Sequence, residues 1–77
     1  MRTPCYIDLL QARELLADMG IDFSEKQLKR AATPNAFGHR RLPFFVDPID
    51  GRLRIEKGTL VRIYQQLQVD AENSAES

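Results

Sequence analysis

The sequence predicts a mainly α domain with a small β-hairpin, built from three helices and one pair of short strands. Three observations carry this. Two capping boxes, Asp8 with Gln11 and Ser24 with Gln27, each open an apolar-periodic run. An Asp50-Gly51 pair lies between two short runs of period two. A third stripe, Leu60, Ile63, Tyr64 and Leu67, recurs at helical spacing.

Taken in order, Cys5, Tyr6 and Ile7 read as a short strand or extended lead-in, with Cys5 expected to be buried beside the third helix. The first helix is predicted over residues 9–19. Leu9, Ala12, Leu16 and Met19, with Leu15 alongside, make its inward stripe, and Gly20 supplies the left-handed stop. Ile21, Asp22 and Phe23 form a tight connection with two apolar anchors. The second helix covers residues 25–32, with Leu28, Ala31 and Ala32 inward and Lys26, Lys29 and Arg30 outward at i, i+3 and i+4. Thr33 precedes Pro34 and is biased away from helix, so residues 33–41 read as a loop. Beyond Pro43, Phe44 and Val46 share one strand face, and Leu53 and Ile55 share another, with Arg52 and Arg54 on the reverse side. The third helix is predicted over residues 57–68. The small, acidic residues 70–77 read as a disordered tail, leaving residues 1–69 as the domain.

A chain of 77 residues is one domain near the lower size limit for a self-sufficient core. It has little room for an enclosed cleft. The lone His39 beside Arg40 offers neither a nucleophile with its base nor paired acids, so no enzyme is expected, and no cofactor. One His and one distant Cys cannot build a metal site. The single cysteine, and the lack of a signal-like or continuous apolar segment, fit a cytoplasmic protein that does not engage a membrane.

Net charge is zero, but it is segregated. Residues 26–62 hold nine basic side chains against three acidic ones, and the remainder of the chain holds two against eight. A domain with one basic and one acidic side can bind a polyanion although its summed charge is nil.

Two stretches, "YIDLLQARELLADMGIDFSEKQLKR" and "RRLPFFVDPIDGRLRIEKGTLVRIYQQL", together resemble the excisionase-type (recombination directionality factor) and MerR-like winged helix-turn-helix proteins. The resemblance lies in the aromatic-aliphatic lead-in, the "ARELL" stripe, the Gly-Ile turn into a basic helix, the "LP" before the hairpin and the "GRLRI" returning from it. It implies a winged helix-turn-helix of three helices and a two-stranded wing that binds double-stranded DNA. The second helix would enter the major groove, with Lys26, Gln27, Lys29 and Arg30 at base edges and phosphates. Arg52 or Arg54 would read the adjacent minor groove, and His39, Arg40, Arg41 and Lys57 would clamp phosphates. Asp47 and Asp50 at the tip would repel phosphate, so contact is expected through the arginine flanks.

The resemblance further implies an architectural factor from a mobile genetic element that directs a tyrosine or serine recombinase (integrase) toward excision. A small transcription regulator of the same fold is the alternative, and a protein-interaction module is a third. No heptads follow the third helix, which favours a monomer that self-associates on DNA. Competing readings exist for the basic residues too. Lys26, Lys29 and Arg30 also suit a solvated helix face, and Arg52 and Arg54 also suit charges that block strand-edge pairing.

Overall fold

Asp8 ends one element and starts another. Its Oδ1 accepts the Gln11 N–H at 2.8 Å and the Gln11 side chain returns to the Asp8 N–H at 3.0 Å, a closed capping box at the start of the first helix. The computed structural model, which describes residues 3–75, orders the chain as β1 (Tyr6–Asp8), α1 (Leu9–Asp18), α2 (Glu25–Ala32), β2 (Phe45–Val46), β3 (Leu53–Glu56) and α3 (Lys57–Ala75).

α1 ends one residue earlier than its periodicity suggests, because Met19 becomes the cap and is partly exposed rather than part of the stripe. Gly20 has φ +89°, and its N–H reaches Ala17 O at 3.0 Å while the Ile21 N–H reaches Leu16 O at 2.7 Å. This pairing is a Schellman stop, which satisfies the last carbonyls and swings Ile21 back onto the core. Arg13 Nε then donates to Phe23 O at 3.0 Å, tying the turn to α1. α2 begins at its own capping box and has the bounds its sequence predicts, with Leu28 and Ala32 buried.

The hairpin is part of a larger sheet. Its three antiparallel strands run in the order β1-β3-β2, so the lead-in strand joins the expected pair. Ile7 stands opposite Ile55, both buried, and that apolar pair is the reason β1 adds to the edge of β3. The core gathers Ile7, Ala12, Leu16, Leu28, Ala32, Leu42, Phe44, Ile55 and Leu60 between the sheet and the three helices.

Four expectations need correction. Phe44 is buried, but Val46 is 51 % exposed, because Leu42 and Phe44 enter the core before strand pairing begins at Phe45. Cys5 is exposed; only its backbone is engaged, its carbonyl accepting the Lys57 N–H at 2.8 Å. Leu67 is 57 % exposed, because α3 has left the core by that point. α3 also continues to Ala75 instead of ending near Gln68 and giving way to a disordered tail from Asp70. Nothing between Gln68 and Ala75 is Gly or Pro, and the pairs Gln66 with Asp70 and Gln68 with Glu72 bond at i, i+4. The final tail residues, Glu76 and Ser77, lie outside the described residues. Among the described residues, no helix is long and apolar enough to cross a membrane.

Candidate nucleic-acid interface

The outer face of α2 is the natural starting point, since Lys26, Lys29 and Arg30 are all exposed on it. Lys29 and Arg30 occupy the last turn, where the helix dipole favours cations, and Glu25 occupies the first, where it favours an anion. The basic character is therefore concentrated toward the C-terminal half of the helix.

Gln27 points the same way along the helix but is already engaged. Its Oε1 accepts the Ser24 N–H at 2.9 Å, and the Ser24 hydroxyl accepts the Gln27 N–H at 3.1 Å. Bidentate reading of an adenine needs both the amide oxygen and the amide nitrogen. The cap takes one of the two lone pairs of that oxygen and fixes the side chain's orientation, so a base would have to meet the amide as the cap holds it.

The loop after α2 is folded, and it brings three further basic residues to Arg30. Asn35 organises it: Oδ1 accepts the N–H groups of Phe37 at 2.8 Å and His39 at 3.1 Å, while Asn35 N–H donates to His39 O at 2.8 Å. Gly38 closes the turn at φ +78°. Arg40 Nε donates to Ala32 O at 2.8 Å and so caps the C-terminus of α2 with a cation. As a result Arg30, His39, Arg40 and Arg41 line one hollow, and Arg30 and Arg41 also line a second one with Gln27 and Tyr64. Burial pushes the Tyr64 phenol above its ordinary value, so it presents a neutral hydroxyl there.

At the other end of α2 stands the hairpin. Arg52 shares a hollow with Glu25 of α2 and with Leu10 and Arg13 of α1, which fixes the hairpin beside the helix N-terminus. Arg54 does something else. Its Nη2 meets Asp50 Oδ2 at 2.7 Å and its Nε meets Asp47 Oδ2 at 3.3 Å, so it turns back onto the hairpin. The Arg52 N–H bond, followed by attraction to Arg54, holds the Asp50 carboxyl below the usual carboxylate value. For Arg54, desolvation opposes the charge, but attraction to Asp50 and the bonds to both carboxylates outweigh it and raise its pKa.

Lys57 stands apart from the cluster. It lines a hollow with Gln11, Glu14 and Asp18 of α1, on an acidic part of the surface. Its neighbour Glu56 caps α3, taking the N–H groups of Gly58 at 2.6 Å and Thr59 at 3.2 Å. The Gly58 bond comes first among the causes that lower the Glu56 pKa.

The structure thus gathers Lys26, Lys29, Arg30, His39, Arg40 and Arg41 around α2, and sets Arg52 at its other end. Arg54 and Lys57 fall outside that group. The roles of Asn35 and Arg13 went unread in the sequence; the Asn35-to-Gly38 spacing was a turn signal that names Asn35, whereas the Arg13 bond to a backbone carbonyl leaves no local pattern. Among the described residues, no three His, Cys, Asp or Glu side chains come together as a metal site. No protein family, no curated protein and no solved structure matches the chain.

Proposed function

We propose that this chain binds double-stranded DNA as a winged helix-turn-helix, with α2 in the major groove and the β2–β3 hairpin alongside as the wing. The observation that carries the reading is the convergence of Arg30, His39, Arg40 and Arg41 at the C-terminal end of a helix that already exposes Lys26 and Lys29. Like charges of this density repel one another and raise the free energy of the isolated fold, so their concentration makes sense opposite a polyanion. Arg30, Lys26 and Lys29 are candidates for both base edges and phosphates; Arg40, Arg41, His39 and Arg52 are candidates for phosphates.

Within that reading, the chain acts as an excisionase-like architectural factor that lines up on repeated sites and assists an integrase. The regulator alternative draws support from α3. Residues 65–75 extend as an exposed helix carrying Leu67 and Val69, the kind of arm through which two copies of a regulator can join.

Selection of duplexes from a random pool, followed by footprinting on the DNA flanking the chain's own gene, tests both levels. Protection of clustered direct repeats at an attachment site supports excision control. A lone promoter operator supports the regulator, and failure to enrich any duplex contradicts DNA binding itself.

A further inference from the structure

Four arginines are bonded within the protein: Arg13 to Phe23 O, Arg40 to Ala32 O, Arg54 to Asp47 and Asp50, and Arg62 to Thr59 and Glu56. The guanidinium groups of Arg30 and Arg41 have no such partner among the described residues. Both line the same hollow, about 330 Å³ in volume, between α2, the end of the loop that follows it and α3.

The floor of this hollow is apolar. Leu28 and Leu42 are buried there, and Phe23, Ala31 and Tyr64 are partly buried against the core. The Leu42 N–H donates to Ala31 O at 3.2 Å, so the wall that carries Arg41 is pinned to α2 before anything binds. The polar lining consists of donors: the two guanidinium groups, the Gln27 amide and the Tyr64 hydroxyl, which burial keeps protonated. No Asp or Glu lines it.

A phosphate backbone does not call for this composition. It needs cations and polar donors, which the neighbouring hollow of Arg30, Thr33, His39, Arg40 and Arg41 supplies without a leucine in its lining. An apolar floor with a few convergent polar groups is the lining of a small-ligand site, and the volume lies at the lower end of the range for one. The lack of acids sets the sign of the ligand's charge, and guanidinium forks suit a planar carboxylate.

We propose that this hollow binds a small apolar carboxylate, an aromatic acid of one or two rings, with its ring on Leu28, Leu42 and Tyr64 and its carboxylate held by Arg30 and Arg41. A neutral ring would leave both guanidinium groups unanswered, and a bare anion would leave the floor in water. Arg30 and Arg41 also serve the duplex, so the acid and DNA exclude each other and each weakens the other by the same factor. That exclusion rests on the duplex-binding reading above; the site itself does not.

The test uses the full chain, isotope-labelled for amide NMR, and naphthoate, with acetate as the charge-only control and naphthamide as the ring-only control. Naphthoate is expected to saturate with a Kd of about 0.1–1 mM, shifting signals around Leu28, Ala31, Leu42 and Tyr64, and both controls to bind at least about tenfold more weakly. Arg41→Ala, which should melt like wild type because the side chain is exposed, should weaken naphthoate about tenfold and leave naphthamide unchanged. In a separate arm, naphthoate near saturation should raise the Kd of a selected duplex severalfold, whereas sodium acetate at equal ionic strength should not. Shifts spread over all the basic residues, or equal naphthoate binding by wild type and folded Arg41→Ala, would overturn the site. So would no saturation by about 10 mM. Saturation in the hollow with an unchanged duplex Kd would overturn the exclusion. Localised naphthoate binding by a chain that binds no duplex would support the site while removing the DNA reading.

Discussion

Arg54 Nη2 lies 2.7 Å from Asp50 Oδ2, across the turn that separates the two strands of the hairpin. Arg52, two residues earlier, makes no ion pair among those found in the described residues and is exposed. Two arginines that look equivalent in the sequence therefore have different work: Arg54 holds the turn, and Arg52 is available to a partner.

The two substitutions should separate accordingly. Arg54→Ala leaves Asp47 and Asp50 facing each other without their cation, so its melting temperature should fall by a few degrees. Arg52→Ala should melt like wild type while lowering duplex affinity and reducing the salt slope by about one. Matching melting curves for both variants would show that the Arg54 pairs are not maintained in solution.

Acid should loosen the hairpin and the start of α3 together. Asp50 and Glu56 both have lowered pKa values, so the folded chain binds fewer protons than the unfolded chain as pH drops. Their contribution is fully present above the ordinary carboxylate pKa of about 4 and is lost as pH falls through the lower folded values. Melting followed by circular dichroism from neutral pH to about pH 3 should show this loss, and Asp50→Asn should flatten it. An acid profile identical in Asp50→Asn and wild type would contradict the assignment.

Much of the helical framework was legible because its signals are local. The Asp8 and Ser24 boxes and the Gly20 stop each need only a few neighbouring residues to act, and they set the ends of α1 and α2. The departures have non-local causes. Arg54 and Asp47 meet only because the turn brings them together, and β1 joins the sheet through Ile7 and Ile55, which are far apart in the chain. Val46 followed the strand alternation on paper, but the chain had already buried Leu42 and Phe44 and had no further core to reach. The basic cluster was legible as a charge imbalance. That Lys57 lies with Glu14 and Asp18 rather than with Arg41 was not, because a strand and a sheet edge intervene between charge order and charge position.

Ser24→Ala removes the hydroxyl half of the α2 capping box, while the backbone N–H at residue 24 still donates to the Gln27 amide oxygen. A loss of about 1 kcal/mol in stability is expected, measured by denaturant titration. A stability equal to wild type would mean that the box contributes nothing.

A chain ending at Gln68 should melt within a few degrees of the full chain, since residues 65–75 are exposed along their whole length. Duplex affinity should be kept, because Asp70 and Glu72 would be repelled by phosphate. The full chain should sediment as a monomer without DNA. A stable dimer that the truncation dissolves would shift weight to the regulator reading.

The most direct measurement is the salt dependence of duplex binding by wild type and by a Lys29→Ala, Arg30→Ala, Arg41→Ala triple variant, with melting curves to establish that both are folded. Roughly five phosphate contacts predict a wild-type slope of log K against log salt of about −4 to −5. The triple variant should lose roughly two to three of those units and bind specific and random duplexes almost equally. A folded wild-type protein that binds no duplex at about 50 mM salt, or a triple variant with the wild-type slope, would contradict the assignment of this face to DNA.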